Sequence, residues 1–324
     1  MADLKDIIKP VKEEMAHFEA YFAKTMQSDI PLLKIILNYI FRRKGKQMRP
    51  LLVFLSSKLI GEISESTYIA ATFIELLHTA SIVHDDVVDN SEERRGALSV
   101  NALWNSKIAV LVGDYMLSKG LLISIQKNRL DMLEIISEAV QSMSKGELLQ
   151  LQKSRKLNIS EEDYFRIIKS KTAALIAACT SCGARAVTDN ASTIKLMKDF
   201  GENIGIAFQI RDDIFDYESN GLTGKPHGND IKEKKITLPL ILALNRSPLA
   251  KKQHILRVVG KKKKTRADIN EVIDFVSIYN GIESATIKMN YYRDQALAIL
   301  DTYPESEAKK SLREFAYYTT SRNK

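Results

Sequence analysis

Two acidic clusters of identical spacing interrupt apolar stretches of this 324-residue chain, and each reads Asp-Asp-x-x-Asp. The first cluster occupies residues 85–89 and the second occupies residues 212–216. In a helix, the first and last aspartate of each cluster lie one turn apart on the same face. Because charge is costly on a core-facing helix unless it is neutralised, the fold must supply both clusters with cations.

The spacing also indicates which cation the clusters bind. Two such faces turned toward each other would gather about six carboxylates around one point. Hard oxygen ligands of this kind suit Mg²⁺, which keeps some of its waters and takes further oxygens from phosphate groups. Aspartate pairs on a single helix are more often solvated, but two clusters in apolar settings favour a magnesium–diphosphate site. The candidate metal ligands are Asp85, Asp86, Asp89, Asp212 and Asp216.

The composition favours an all-α fold. The chain has only 14 Gly and 7 Pro, so helix breakers are scarce, and 45% of its residues are hydrophobic, which is enough for a sizeable core. Neither strand alternation nor a fixed repeat recurs, and no linker is long enough to divide the chain. We therefore expect one all-helical domain over residues 1–324.

Apolar residues recur at helical spacing along most of the chain. The polar, glycine-containing stretch 219–235 predicts a loop, and its length suggests that the loop is functional. The pattern predicts helices at residues 30–42, 51–59, 67–89, 100–125, 131–152, 161–183 and 191–217, with further helices from 238 and from 268 to the end.

Cysteine usage and the N-terminal sequence favour a reduced, cytoplasmic protein. Cys179 and Cys182 form a lone C-x-x-C, whereas a structural zinc site needs two further ligands, so we expect both to fill the core. Residues 1–6 lack the basic-then-apolar order of a signal peptide. No apolar run approaches the roughly 18 residues of a membrane span, because polar and charged side chains interrupt residues 108–125.

The formal net charge is +8, and part of the excess lies in the basic run 260–266. This run predicts a solvated loop between helices, and the alternative is at most weak contact with an anionic membrane surface. No recognised nucleic-acid-binding motif accompanies the run, so we expect no nucleic-acid partner.

Lysine and arginine side chains, the usual partners of phosphate groups, accompany both clusters. The motifs in chain order are GKQMRP at 45–50, HTASIVHDDVVDNSEERRG at 78–96, GELLQL at 146–151, KTAAL at 171–175, FQIRDDIFD at 208–216 and GKPHGNDIKEKKITLP at 224–239. This ordered set resembles the trans-type polyprenyl diphosphate synthases, which condense isopentenyl diphosphate head to tail onto an allylic diphosphate. One acidic motif alone is weak evidence, whereas the whole set spans most of the chain.

The resemblance implies a helical bundle around a central cavity, a homodimer, and Mg²⁺, with three ions per site when diphosphate is bound. It implies that Asp85, Asp89, Asp212 and Asp216 hold the Mg²⁺ that bridges to the allylic diphosphate. The residues implied to contact that diphosphate are Arg94, Lys171, Gln209 and Lys225, with Thr172 and Lys235 completing the shell. The residues implied to bind isopentenyl diphosphate are Lys46, Arg49, His78 and Arg95. The implied catalytic set is Asp85, Asp89, Arg94, Lys171 and Asp212.

The chemistry of the reaction agrees with these assignments. Breaking the allylic C–O bond places negative charge on diphosphate, which Mg²⁺, lysine and arginine stabilise. The carbon fragment becomes an allylic cation, so water must be excluded while the isopentenyl double bond attacks. Phe208 is expected in the core or at the border of that cation. No side chain is an obvious base for the proton that then leaves, and the resemblance implies that released diphosphate accepts it.

Two positions depart from the family pattern. Gln47 stands where arginine is usual, which we expect to weaken isopentenyl diphosphate binding slightly. Lys234 replaces the usual glycine before Lys235, which bears on the loop geometry there. Neither change removes a predicted metal ligand.

The residues before the first cluster bear on product length. In the family, a bulky aromatic residue four or five positions before the motif stops chain growth early, and Ser81 and Ala80 are small here. One helical turn is about 5.4 Å, close to one isoprene unit, so each cleared turn admits roughly one more unit. The predicted wall consists of Ala80, Ser81, Leu77 and Ile74. The predicted floor lies deeper, on a facing helix, among Met132, Leu133, Ile136 and Met143.

We therefore expect long all-trans products, about hexaprenyl to octaprenyl or longer, for a quinone side chain, and Ala80→Phe should shorten them. A short-chain farnesyl or geranylgeranyl diphosphate synthase is the alternative within the class. A terpene cyclase would normally carry an Asn/Asp-Ser/Thr-Glu triad in place of the second cluster. An inactive regulatory subunit would tend to lose one cluster, and both are intact.

Overall fold

A computed structural model describes residues 3–42, 45–94, 96–218 and 228–321, with residues 155 and 156 described by their backbone alone. The α-helices are α1 (Leu4–Ile8), α2 (Lys12–Thr25), α3 (Pro31–Arg42), α4 (Met48–Ile60), α5 (Glu65–Val88), α6 (Val100–Trp104), α7 (Ser106–Gln126), α8 (Leu130–Lys156), α9 (Glu161–Ile168), α10 (Ala174–Arg185), α11 (Ala191–Phe215), α12 (Asn229–Lys232), α13 (Leu238–Arg246), α14 (Leu249–Gly260), α15 (Arg266–Ile278), α16 (Gly281–Asp301) and α17 (Glu307–Ser321). A 3₁₀ turn (Lys9–Val11), a π-helical turn (Lys169–Ala173) and a hairpin of β1 (Glu93–Arg94) and β2 (Ala97–Leu98) complete the described structure.

The predicted all-α class is confirmed, and the helices that carry the acidic clusters lie close to their predicted bounds. Helix α5 starts with a capping box, in which the side chains of Ser64 and Thr67 satisfy each other's backbone N–H groups. Helix α11 starts where the side chain of Asn190 accepts a hydrogen bond from the Thr193 N–H at 3.0 Å. Each helix is therefore fixed at one end by a local cap and presents its cluster at the other end.

Three local features depart from the sequence prediction. The helix predicted at 100–125 is divided at Asn105, whose φ of 80° breaks α6 and whose side chain caps α7 by accepting from the Ile108 N–H. The helix predicted at 161–183 contains the π-helical turn between α9 and α10. The β1–β2 hairpin was not predicted, because each of its strands is only two residues long.

The buried side chains form two hydrophobic cores that share α11. Residues Met197 and Phe200 of this helix lie in the larger core with α4, α5 and α10, whereas Ile210 and Ile214 lie in the smaller core with α13, α15 and α16. Helices α10 and α11 approach closely, because a Cβ at Gly201 would stand only 2.7 Å from the carbonyl oxygen of Ile176. Helix α11 thus fixes the second acidic cluster relative to both cores.

Both cysteines are buried free thiols, as predicted, and burial raises the pKa of Cys179 to about 12. The prediction on apolar length needs correction, because α5 and α7 are each long and apolar enough to cross a membrane. Their apolar windows are 61% and 33% buried within the protein, so both are also helices of the bundle. Most apolar side chains of α5 are buried in the core, whereas several large apolar side chains of α7 are exposed.

Candidate active site

A cavity of about 880 Å³ lies between α4, α5, α8, α10, α11 and α17. This volume is near the upper end of the roughly 300–1,000 Å³ that small-molecule sites usually have. Its wall carries the charged and histidine side chains of Lys46, Arg49, Glu75, His78, Asp85, Glu147 and Lys171. It also carries many apolar side chains, including Val140, Met143, Leu148, Leu151, Leu175, Ile176, Ile204, Phe208 and Phe315.

One stripe of α5 faces this cavity. Asp85, Ser81, His78 and Glu75 all line it, so the cavity follows the helix from the first acidic cluster for about three turns. At the far side, Met143 lines the cavity from α8, so part of the predicted facing helix is found there.

The predicted wall and floor need correction beyond Ser81 and Met143. Leu77, Ala80 and Ile74 are buried in the larger core and do not line the cavity. Successive helix residues turn by about 100°, which places Leu77 and Ala80 with the face that packs on α7 rather than with Ser81. Met132 and Ile136 are fully buried below the cavity, and Leu133 is partly buried against the same core, so these floor residues lie deeper than the open space.

The first cluster divides between the two faces of α5. Burial raises the pKa of Asp85 above its ordinary value, and the nearby carboxylates of Glu147 and Asp89 add to that rise. Asp86 points the other way and is 3% exposed, with one carboxylate oxygen accepting from Nε and Nη2 of Arg94 at 2.9 and 2.8 Å. The Asp86 carboxylate thus pairs with Arg94 here, and its role as a metal ligand stays a prediction.

The second cluster is also divided. Asp212 lies one helical turn after Phe208, which lines the cavity, so the two side chains share a face of α11. Asp213 is buried and accepts from Tyr164 and Gln209, and burial raises its pKa to about 7. The two carboxylate oxygens of Asp216 accept from the N–H groups of residues 229 and 230 and thereby cap α12.

Lys235 lies among carboxylates, one of which, Asp89, belongs to the first cluster. Burial lowers its pKa, but the hydrogen bond to Glu233 and the charges of Glu233, Asp230 and Asp89 outweigh burial and raise the pKa. Its Nζ is 2.6 Å from Glu233 and 3.9 Å from Asp230. The preceding Lys234 keeps a left-handed backbone with φ of 60°, the conformation that glycine adopts without strain.

The π-helical turn carries two further predicted site residues into the cavity wall. Lys171 forms an ion pair with Glu147 and donates to Oε1 of Gln150 at 3.0 Å, while Thr172 donates to Oε1 of Gln209 at 2.7 Å. Helix α8 comes close enough to this turn that a Cβ at Gly146 would stand 2.9 Å from the Lys171 backbone nitrogen. Such π-helical turns occur frequently at functional sites.

The predicted isopentenyl-binding residues meet on the α4 side of the cavity. Lys46, Arg49 and His78 all line it, together with Gln47, whose φ of 48° starts α4 in a left-handed conformation. The Lys46 ammonium donates to the hydroxyl of Tyr318 at 2.9 Å. Of the other predicted site residues, Arg95 and Lys225 lie outside the described residues.

Sequence reasoning missed several residues that shape the site. Glu147 stands in the GELLQL motif, where a lone acid within an apolar helix was the available signal. Asp230 is a half-buried carboxylate whose pKa is raised to about 6 by burial and by the charge of Asp216. Tyr318 reaches the cavity from α17, and nothing in its local sequence indicates this.

The carboxylates at the cavity fit a hard divalent cation by their chemistry. Burial and the negative charges of Glu147 and Asp89 raise the pKa of Asp85, and a bound cation would favour its charged form. Within the described residues, however, no three acidic, histidine or cysteine side chains already stand close enough to enclose a metal. The donor set is thus present, and its closure around a cation would need side-chain movement.

This fold and this carboxylate-lined cavity define an all-α prenyltransferase of the isoprenoid synthase type. A model of the polyprenyl synthetase family matches residues 30–276, and the chain belongs to this family.

Three similar proteins illustrate the range of the family. The octaprenyl diphosphate synthase of Haemophilus influenzae is 32% identical over 324 residues, which cover 100% of this chain and 98% of the relative. A polyprenyl synthase from Caulobacter crescentus, crystallised with calcium and isoprenyl diphosphate, superposes with a TM-score of 0.90 at 31% identity, covering 99% and 98% of the two chains. A geranylgeranyl pyrophosphate synthase from Bacteroides thetaiotaomicron superposes at 0.83 with 37% identity and covers 98% of both chains.

Proposed function

We propose that this prenyltransferase condenses isopentenyl diphosphate head to tail with an allylic diphosphate in a Mg²⁺-dependent reaction. One observation carries the proposal. The single cavity combines carboxylates that suit Mg²⁺ with lysine and arginine side chains that suit diphosphate, above an apolar wall that suits a prenyl chain. The calcium and isoprenyl diphosphate in the Caulobacter structure are consistent with such a site.

The proposed metal-binding residues are Asp85, Asp89, Asp212 and Asp216, and bound Mg²⁺ would neutralise the charge that builds on the leaving diphosphate. Lys171 and Lys235 would add positive charge on the allylic side, where each now pairs with a glutamate. Substrate oxygens would replace those glutamates as partners. We place Gln209, Thr172 and Lys225 in the same shell.

The residues Lys46, Arg49, His78 and Arg95 are proposed to bind isopentenyl diphosphate. Arg94 is proposed to reach the allylic diphosphate, which requires that it leave its ion pair with Asp86. The apolar wall around Phe208 would exclude water while the allylic cation exists, because water would otherwise capture it.

We propose that the product is a long all-trans polyprenyl diphosphate, about hexaprenyl to octaprenyl or longer, destined for a quinone side chain. The small side chain of Ser81, which lines the cavity one turn before Asp85, supports this proposal. Octaprenyl synthases are among the curated relatives.

A shorter product is the second candidate, and the depth of the cavity favours it. The stripe from Asp85 to Glu75 spans about 15 Å at 1.5 Å per residue, roughly three isoprene units, which is nearer to a four-unit geranylgeranyl chain than to a hexaprenyl chain. A longer chain must therefore displace side chains of the apolar wall, such as Val140 and Met143. The geranylgeranyl synthases among the similar structures show that this fold also serves shorter products.

One incubation tests both the reaction and its product length. The purified protein is mixed with farnesyl diphosphate, labelled isopentenyl diphosphate and Mg²⁺, and the extracted lipids are separated by length. A ladder ending at six to eight units or more supports the long-chain proposal, and a stop at four units supports the second candidate. Asp85→Asn serves as the inactive control. No incorporation by the wild type would contradict the proposed function and favour a regulatory subunit.

We also propose that the protein is a homodimer that associates through α7. Leu111, Leu121, Leu122 and Ile125 on this helix are between 43% and 58% exposed, which is unusual for four large apolar side chains on one helix. Cytoplasmic location and, at most, weak membrane contact remain predictions. In the basic run, Lys261 pairs with Asp268 and the Lys264 ammonium donates to the carbonyl of Lys232, so part of its charge is locally satisfied.

A further inference from the structure

A chain of three hydrogen bonds connects a buried tyrosine on α9 to the wall of the cavity. The hydroxyl of Tyr164 donates to Oδ2 of Asp213 at 2.6 Å. The other carboxylate oxygen of Asp213 accepts from Nε2 of Gln209 at 2.9 Å, and Oε1 of Gln209 accepts from Oγ1 of Thr172 at 2.7 Å. Tyr164 and Asp213 are each 4% exposed, whereas Gln209 and Thr172 are half-buried, so the hydrogen-bond chain runs from a buried end to the cavity.

The donors and acceptors in this chain have one consistent direction. Both oxygens of Asp213 act as acceptors, and Gln209 turns its NH₂ group toward Asp213 and its carbonyl oxygen toward Thr172. Thr172 donates its hydroxyl hydrogen to Gln209, so its lone pairs can accept from a water held by a bound cation, while the second N–H of Gln209 can donate to a diphosphate oxygen. Asp213 therefore fixes the orientation of the Gln209 amide at the buried end, and that amide fixes the Thr172 hydroxyl at the cavity end.

We propose that Tyr164 is a positioning residue for the allylic diphosphate. By donating to Asp213 it fixes the orientation of the Gln209 amide and, through it, of the Thr172 hydroxyl. Without the tyrosine hydroxyl, Asp213 loses one of these two donors in a buried place, and the Gln209 amide is no longer held in one orientation. The inference rests on the proposed function, in which Thr172 and Gln209 belong to the allylic shell.

Because of where the hydrogen-bond chain ends, loss of the Tyr164 hydroxyl should affect the binding of only one substrate. Thr172 follows Lys171 in the π-helical turn, so the chain ends beside the proposed allylic contacts. The proposed isopentenyl contacts Lys46 and Arg49 lie on the loop before α4 and on α4 itself, which this chain of hydrogen bonds does not touch. A change at Tyr164 should therefore act on the two substrates unequally.

Steady-state kinetics of Tyr164→Phe test the inference. This variant removes only the hydroxyl and keeps the ring, which packs edge-on against Phe165 with 5.4 Å between centroids. We expect the KM for farnesyl diphosphate to rise about tenfold, as for loss of one hydrogen bond to a charged group, and the KM for isopentenyl diphosphate to change less than twofold. Tyr292→Phe is the matched control, since its ring packs on the same Phe165 at 5.5 Å. It should change neither value.

A double-variant cycle adds a readout that a merely structural role would not move. If Tyr164 acts through Thr172, then Thr172→Val should raise the farnesyl diphosphate KM less in the Tyr164→Phe background than in the wild type. Unchanged KM values in Tyr164→Phe, equal rises for both substrates, or fully independent effects in the cycle would overturn this inference alone. A wild type that transfers no prenyl group would overturn the proposed function and this inference with it.

Discussion

Ser81 and Ala80 are neighbours in the chain, but the fold gives them different surroundings. Ser81 lines the cavity one turn before Asp85, whereas Ala80 is fully buried in the core and does not reach the cavity. A large side chain at either position therefore meets a different obstacle. At position 81 it enters the space proposed for the growing prenyl chain, and at position 80 it enters a packed core.

Ser81→Phe should shorten the product, because the aromatic ring would close the cavity about one turn below Asp85. Ala80→Phe should instead lower the free energy of unfolding by about 1–3 kcal/mol through overpacking and leave product length unchanged. Product sizing and urea unfolding of both variants check this. Shortening by Ala80→Phe at unchanged stability would show that the wall lies where the sequence alone placed it.

Asp131 illustrates a residue whose charge stabilises the fold away from the cavity. Burial raises its pKa, but hydrogen bonds and charge from Arg129, the Met132 N–H and the charge of Arg185 outweigh burial, so the pKa is lowered. A lowered pKa means that this stabilisation is present above the unfolded value of about 4 and is lost as pH falls through the folded value.

Asp131→Asn should therefore lower the free energy of unfolding by about 1–3 kcal/mol at pH 7, because two partly buried arginines lose their carboxylate. The difference from the wild type should shrink as pH falls below the unfolded pKa and through the lowered folded pKa, where the wild-type carboxylate also becomes protonated. Urea unfolding at several pH values measures it. Asp189→Asn is the control, since that carboxylate pairs with the same Arg185 but is 93% exposed. If the difference in unfolding free energy between Asp131→Asn and the wild type did not change with pH, the charge of Asp131 would not be its source.

At the scale of elements, the π-helical turn depends on a glycine of another helix. A Cβ at Gly146 would stand 2.9 Å from the Lys171 nitrogen and from the Ser170 Cβ, and backbone atoms cannot move aside cheaply. The absence of a side chain on α8 thus allows the turn to bring Lys171 and Thr172 to the cavity.

Gly146→Ala sets two effects against each other. Alanine favours a helix by about 1 kcal/mol over glycine, but displacing the turn should cost about 1–3 kcal/mol and move Lys171. We expect a small loss of thermal stability together with a KM for the allylic diphosphate raised at least several-fold, measured by calorimetry and kinetics. Gly260→Ala is the control, because its Cβ would meet only the end of Leu157 at 3.2 Å. An unchanged KM for the allylic diphosphate in Gly146→Ala would show that the π-helical turn does not depend on a glycine at this position.

At the scale of the whole molecule, the exposed apolar face of α7 predicts association. The wild type should elute and scatter light as a species of twice 36.6 kDa at micromolar concentration. Leu111→Asp combined with Leu122→Asp should give a monomer, because buried unpaired charge opposes the contact. Ile278→Asp, at a position 73% exposed on α15, is the control and should remain dimeric. A double variant that stays dimeric would place the interface elsewhere.

The sequence allowed the fold class and most of the long helices to be predicted, because periodicity and caps are local signals. Helices α3, α5 and α11 lie within about two residues of their expected bounds. Local signals do not reveal the break at Asn105, because it consists of a single residue with positive φ. They do not reveal the π-helical turn either, because that turn depends on close packing against Gly146 of another helix.

The site could be predicted by residue identity but not by orientation. Asp85, Lys46, Arg49, His78, Lys171 and Thr172 all line one cavity, as expected from a shared site. Which stripe of α5 faces that cavity was beyond the sequence, because the helix is apolar on several sides. The pairing of Asp86 with Arg94 follows from the β1–β2 hairpin, whose strands are too short to leave a sequence pattern.

Helix α7 has one face packed inside the protein and one exposed apolar face, and this affects how the protein should behave on dilution. One of its faces packs on α5, where Gly113 leaves just enough room for His84, the neighbour of Asp85. Its other face is the apolar surface available to a second copy. Specific activity should then fall when the protein is diluted below the dissociation constant of the dimer, because dissociation removes the second copy from behind the helix that carries the first acidic cluster.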